Sequence, residues 1–244
     1  MLNERVDRII KSTYKRYCEF IDNIPEISEI KVIDGNYADM QFFPEDLYNE
    51  KYILYINQTV ENERAQFIEN TLWHEFTHIS DSITLKEYEY EKFKNIMMIY
   101  SEIHSAETQM NHMLRTQDIP PYTLDKNIEH GGFITLGKYM DTSLEHVTES
   151  FILPPWIVLP FDDICDPKNL YYFIGYLKSL RENSIEYEYS YSEINEKYIN
   201  LFNELTEYIL NNNIYDFDKL VEFHTKIKAI TQTVTTEHNK SFES

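Results

Sequence analysis

The sequence predicts a mostly α-helical α+β protein: a small sheet of two or three strands with helices packed around it. Apolar residues recur at helical spacing over most of the chain from about Glu61 onward, while strand-like runs are confined to residues 26–57. Only five glycines interrupt the 244 residues. A content of 42% hydrophobic and 15% aromatic residues provides for a real core and argues against disorder.

Taken in order, residues 1–22 set Val6, Ile9, Ile10, Tyr14, Tyr17 and Ile21 on one helical face, and Pro25 ends that helix. Ile27, Ile30, Val32 and Ile33 suggest a short strand, with Asp34-Gly35 as a turn. KYILYIN (51–57) is β-branched and aromatic and reads as a second strand. Residues 62–81 carry Phe67, Ile68, Leu72 and Phe76 in a helical pattern, and a long helix follows over 86–115. Pro120-Pro121 and Gly131-Gly132 bracket a loop, and a helix near 141–150 leads into the proline-broken apolar run Phe151–Phe161. Three further helices are expected at 167–182, 190–211 and 216–231, with a frayed tail from TTEHNKSFES. The expected division is a core at 1–116 and a helical C-terminal extension packed on it at 117–244, with one single domain as the alternative.

Charge narrows the function. A net charge of −20 and a pI near 4.7 argue against direct binding to nucleic acid or to an anionic membrane, both of which require a basic surface. A basic protein partner is compatible. The N-terminal residues MLNERVDRIIKSTYKRYCEF interrupt their apolar positions with charges, unlike an export signal, and Phe151–Phe161 is too short to span a bilayer. The expectation is a cytoplasmic protein. Cys18 and Cys165 read as small buried hydrophobes, not as a disulfide framework.

One motif carries chemistry. Residues 74–78 read His74-Glu75-Phe76-Thr77-His78, the pattern H-E-x-x-H. Positions i and i+4 of a helix share a face, so both imidazoles can reach one zinc ion. Glu75 sits about 100° around the helix from His74, placed to act on a water as general base without being a ligand. The extended motif that continues to a third histidine fails, because Asp81 and Thr84 stand where glycine and histidine are required. A glutamate from the next helix is then the third ligand, leaving one position open. Glu87, Glu89 and Glu91 follow too soon after His78. Glu102 lies far enough along to return beside the motif helix, with the small residues Ser105 and Ala106 one turn later to permit close approach. Glu107 is the alternative, though it points elsewhere if Glu102 points inward. His104, two positions from Glu102, is expected to face away as a surface or capping residue.

A strand ending in I-x-x-x-I-N, a short linker, a helix with H-E-x-x-H and a glutamate on the next helix together resemble the ImmA/IrrE-type minimal gluzincins. The resemblance rests on ILYINQTVENERAQFIENTLWHEFTHISD and YSEIHSAETQM, spanning Lys51 to Met110. It implies a zincin-like core, zinc at His74, His78 and Glu102, Glu75 as base, and a strand Tyr52–Asn57 bordering a cleft where a substrate backbone adds. Thr77 departs from the family's usual glycine. Glu145, followed by Phe151 and Leu153-Pro154, echoes a second family pattern and keeps that glutamate open as a third ligand.

The function expected is a zinc-dependent endopeptidase acting on a regulatory or defence protein, with a basic DNA-binding regulator as the electrostatically suited substrate. The competing expectation is a non-catalytic acidic binding protein, mimicking nucleic acid on a basic target. His130 beside Gly131-Gly132 and Tyr100 are weaker candidates for stabilising an oxyanion.

Overall fold

The computed structural model describes residues 3–21, 27–33, 40–41, 52–63, 65–116, 122–125, 133–136, 167–184 and 196–242. The chain divides into two compact units, Met1–Met113 and Leu114–Ser244. It is mostly helical, with small sheets. No helix among the described residues is long and apolar enough to cross a membrane.

In the first unit, α1 (Glu4–Cys18) opens at Asn3, whose side chain accepts a hydrogen bond from the Arg5 amide, and buries Val6, Ile10, Thr13 and Tyr17. The sheet contains β1 (Glu29–Ile33), β2 (Met40–Gln41) and β3 (Ile53–Asn57) in the order β1-β3-β2. β1 runs parallel to β3, pairing Glu29 with Ile53 through Ile33 with Asn57. β2 runs antiparallel, pairing Met40 with Ile56 and Gln41 with Tyr55. β3 is therefore central. Its buried Ile53, Leu54 and Ile56 make the near-continuous apolar run typical of an interior strand, and the polar Asn57 is buried at its end. The expectation that Tyr52–Asn57 offers its own edge to a substrate is corrected here: β1 covers one side throughout, and β2 occupies the other at Tyr55 and Ile56. β2 is the strand that lies beside the motif helix.

Asn57 ends β3 and accepts a hydrogen bond from the Thr59 amide, starting a 3₁₀ turn over Gln58–Asn62. The Arg5 guanidinium of α1 donates to the carbonyls of Glu61 and Glu63 at 3.1 and 2.6 Å, tying that turn down. The chain then enters α2 (Ala65–Leu85), the motif helix, which is longer than the 62–81 expected and shifted toward its C-terminal end. α3 (Tyr90–Ile96), a π turn (Met97–Ser101) and α4 (Glu102–Thr116) form one continuous helical rod in the place of the helix expected at 86–115.

Among its described residues the second unit holds an antiparallel strand pair, β4 (Tyr122–Asp125) with β5 (Phe133–Leu136), and three helices. The strand pair replaces the loop expected between Pro120-Pro121 and Gly131-Gly132, so this half is not purely helical. α5 (Lys168–Glu182), α6 (Glu196–Leu210) and α7 (Phe217–Phe242) bury Tyr171, Ile174, Leu177, Leu205, Ile209, Leu220 and Phe223. α7 runs through the tail expected to fray. The helix expected at 141–150, Glu145, His130, Cys165 and the Phe151–Phe161 run lie outside the described residues. Cys18 is half-buried, not buried as expected, because the last turn of α1 reaches the surface.

Candidate metal centre

α2 presents His74, His78 and Asp81 within about 60° of one helical face, because offsets of four and seven residues nearly complete one and two turns. That face meets the π turn and α4, which run antiparallel to it. Tyr17 packs edge-on against Trp73 and Phe76, with ring centroids 4.8 and 5.5 Å away, and so holds the opposite flank of α2 against α1.

His74, His78 and Glu102 come together. The two Nε2 atoms are 3.1 Å apart, and the Glu102 Oε2 lies 3.4 Å from one and 3.5 Å from the other. Three atoms at tetrahedral positions around a metal 2.0–2.1 Å away would stand about 3.3–3.4 Å from one another. The observed triangle has that size. The imidazole rings stand nearly perpendicular, at 86°, so their lone pairs converge instead of stacking. His74 and Glu102 are 4% and 5% exposed, and two imidazoles with one carboxylate form a donor set suited to a divalent metal ion. Glu107 is half-buried and outside this group.

Glu75 is buried yet is not one of the three converging donors. On helical geometry it stands about 60° around α2 from His78, on the side away from α1. Its charge is felt at the centre. Burial pulls the His78 imidazole down, but the Glu102 carboxylate beside it, with Glu75 and Asp81, outweighs that and raises it above the ordinary histidine value. The site is an electronegative pocket lined by imidazoles, as a cation site should be.

Behind His78 lies a layer of contacts that the sequence reading missed. The His78 Nδ1 is 2.7 Å from the Ser101 hydroxyl and 3.2 Å from that of Ser105. Ser101 in turn donates to Asp81 Oδ2 at 2.8 Å. The other Asp81 oxygen is 2.8 Å from His104 Nδ1. His104 therefore does not face away as expected. The face that α4 turns toward α2 is centred on Ser101 and Ser105, not on Glu102, and Glu102 and His104 reach in from its two flanks. Tyr100 stacks on His104 at 5.5 Å. The only sequence signal for this layer was Asp81 at i+7 from His74 and i+3 from His78.

Thr77, the departure from glycine, also has a place. Its hydroxyl donates to the Trp73 carbonyl at 2.8 Å and accepts from the Tyr17 hydroxyl at 3.0 Å, fully buried at the α1 contact. His112 stacks on Trp73 with centroids 4.3 Å apart.

Comparison of the chain with models of protein families, with curated proteins and with solved structures finds no match.

Proposed function

We propose that the Met1–Met113 unit is a zinc-dependent endopeptidase with a zincin-like core, related in design to the ImmA/IrrE-type minimal gluzincins, and that it cleaves a cytoplasmic regulatory or defence protein. One observation carries this reading: an H-E-x-x-H helix and a glutamate from the following helix set three donor atoms at tetrahedral spacing, with the motif's own glutamate buried beside them.

Zinc held by His74, His78 and Glu102 would supply Lewis acidity toward a peptide carbonyl and toward a water. Glu75 accepts the proton that this water loses on attacking the carbonyl and returns it to the departing amine. Its burial keeps the carboxylate away from bulk solvent, where its attraction for that proton is less screened. With a net charge of −20 the chain favours a basic substrate, such as a DNA-binding regulator.

The test is metal analysis on the full chain purified without added metal, followed by incubation with a diverse peptide library whose cleavage is read by mass spectrometry. The wild type should hold about one zinc per chain, as three-ligand catalytic sites do, and should cut a defined subset of peptides. Glu75→Gln should keep the zinc and lose cleavage by about 10²–10⁴-fold. A wild type that holds no metal even after zinc is added back sinks the proposal.

The charge of −20 favours a second reading, an acidic binding protein in which the metal is structural. Zinc bound with no peptide cut, together with a Glu75→Gln variant of undiminished biological effect, would select it.

A further inference from the structure

We infer that Asp81 is a positioning residue for the metal centre: through Ser101 it fixes the tautomer and the aim of His78. This rests on the metal-site reading above and goes beyond it, since neither Asp81 nor Ser101 belongs to the H-E-x-x-H motif or to the ligand set.

The hydrogen-bond directions determine the arrangement. A serine hydroxyl carries one proton, and Ser101 gives it to Asp81 Oδ2 at 2.8 Å. At 2.7 Å from His78 Nδ1, Ser101 therefore accepts, and the ring proton sits on Nδ1. That leaves the lone pair on Nε2, the atom facing His74 and Glu102. His104 holds the other end of Asp81, donating from Nδ1 to Oδ1 at 2.8 Å. Asp81 is 4% exposed and Ser101 fully buried, so water does not compete for either link. Metal-binding histidines depend on such outer partners for ring orientation and basicity. In this chain the carboxylate comes from the motif helix itself, one turn past His78, and reaches the ring by way of a serine on the π turn.

Asp81→Asn reverses the polarity if its amide faces Ser101. The amide donates to the hydroxyl, the hydroxyl donates to Nδ1, and the proton is driven to Nε2 where the metal must bind. Zinc affinity, measured by competition with a chromogenic chelator on the full chain, should fall about 10–100-fold. Ser101→Ala removes one buried atom and leaves Asp81 in place; it should fall by a similar factor, and it decides the matter if Asp81→Asn does not fold. Cobalt substituted for zinc should show altered visible bands in either variant, a change that loss of stability alone does not produce. Zinc bound by the wild type, with unchanged affinity and cobalt bands in the folded variants, would overturn this inference and leave the metal site standing. A wild type that binds no zinc overturns both.

Discussion

On the proposed reading, zinc should stabilise the first unit measurably. The three candidate ligands lie on two helices, His74 and His78 on α2 and Glu102 on α4, so only the folded arrangement brings them together. A ligand that binds the native state alone stabilises it by about 2.7 kcal/mol at a hundredfold excess over Kd and about 4.1 kcal/mol at a thousandfold excess. For the 113 residues of Met1–Met113 the unfolding entropy is about 0.24 kcal/mol/K at the usual value per residue. Free zinc at those levels should raise the melting temperature of this unit by roughly 11–17 °C.

The assay is thermal unfolding of the full chain with buffered free zinc and with a strong chelator, paired with hydrogen exchange on peptides from α2 and α4. Protection should rise at 65–85 and 102–116, the two helices that the metal joins. Glu102→Ala and His78→Ala should abolish the shift while keeping the chelated melting temperature within a few degrees. A zinc-induced shift of the same size in both variants would refute the site, because the metal would then be binding elsewhere. So would a wild type whose melting temperature ignores zinc.

Tyr17→Phe removes the hydroxyl that donates to Thr77 across the α1–α2 contact and keeps the ring; it should cost about 0.5–1.5 kcal/mol, read as a lower urea midpoint of the chelated protein. In the second unit, burial, with Lys228 adding to it, depresses His224 from 6.5 to about 4, while its Nδ1 stays 2.8 Å from the Tyr171 hydroxyl. Between those values the unfolded chain binds a proton that the folded chain does not, so this contribution is fully present above about pH 6.5 and is lost as the pH falls toward 4. The loss should approach ~3 kcal/mol in exchange protection of α5 and α7, and His224→Gln should flatten that part of the pH profile. A wild type and variant with parallel profiles would contradict it.

How much could be read from the sequence followed from how local the determinants were. Helix α1 and the motif helix were legible because their apolar spacing is internal to each segment, and β3 because an interior strand writes a dense apolar run. The Glu102 assignment needed only a chain length that permits return and a helical phase. Strand β2 has two residues, Met40 and Gln41, too few for any alternation to register. The paired strands β4 and β5 have four residues each and sit among prolines and glycines, which read as loop. α7 continues past the expected end at 231 and through the tail, where closeness to the chain terminus argued for fraying, although Thr233, Val234, Thr235 and Thr236 are weak helix formers. The Asp81–Ser101–His78 link was out of reach for a different reason. It depends on the register of α4 against α2, and the π turn at Met97–Ser101 shifts that register by a residue without any mark in the sequence.

The motif helix also shows what Thr77 does at the position where the resemblance expects glycine. Counted from His74 at 100° per residue, Thr77, Trp73 and Phe76 fall on one arc of α2, and Glu75 falls on the other side. The arc with Thr77 is the one that α1 covers: Tyr17 lies over Trp73 and Phe76, Tyr14 meets Phe76 edge-on at 5.4 Å, and the Tyr17 hydroxyl ends on Thr77. A side chain at residue 77 therefore fills a helix–helix contact and takes no room from the ligands. Glycine there would leave the buried Tyr17 hydroxyl without this acceptor and would weaken the helix by about 1 kcal/mol relative to alanine. The threonine serves the scaffold, and the arc bearing His74, His78 and Asp81 is left to the candidate metal centre. That division of one helix between two faces is why threonine at this position is compatible with the convergence of His74, His78 and Glu102.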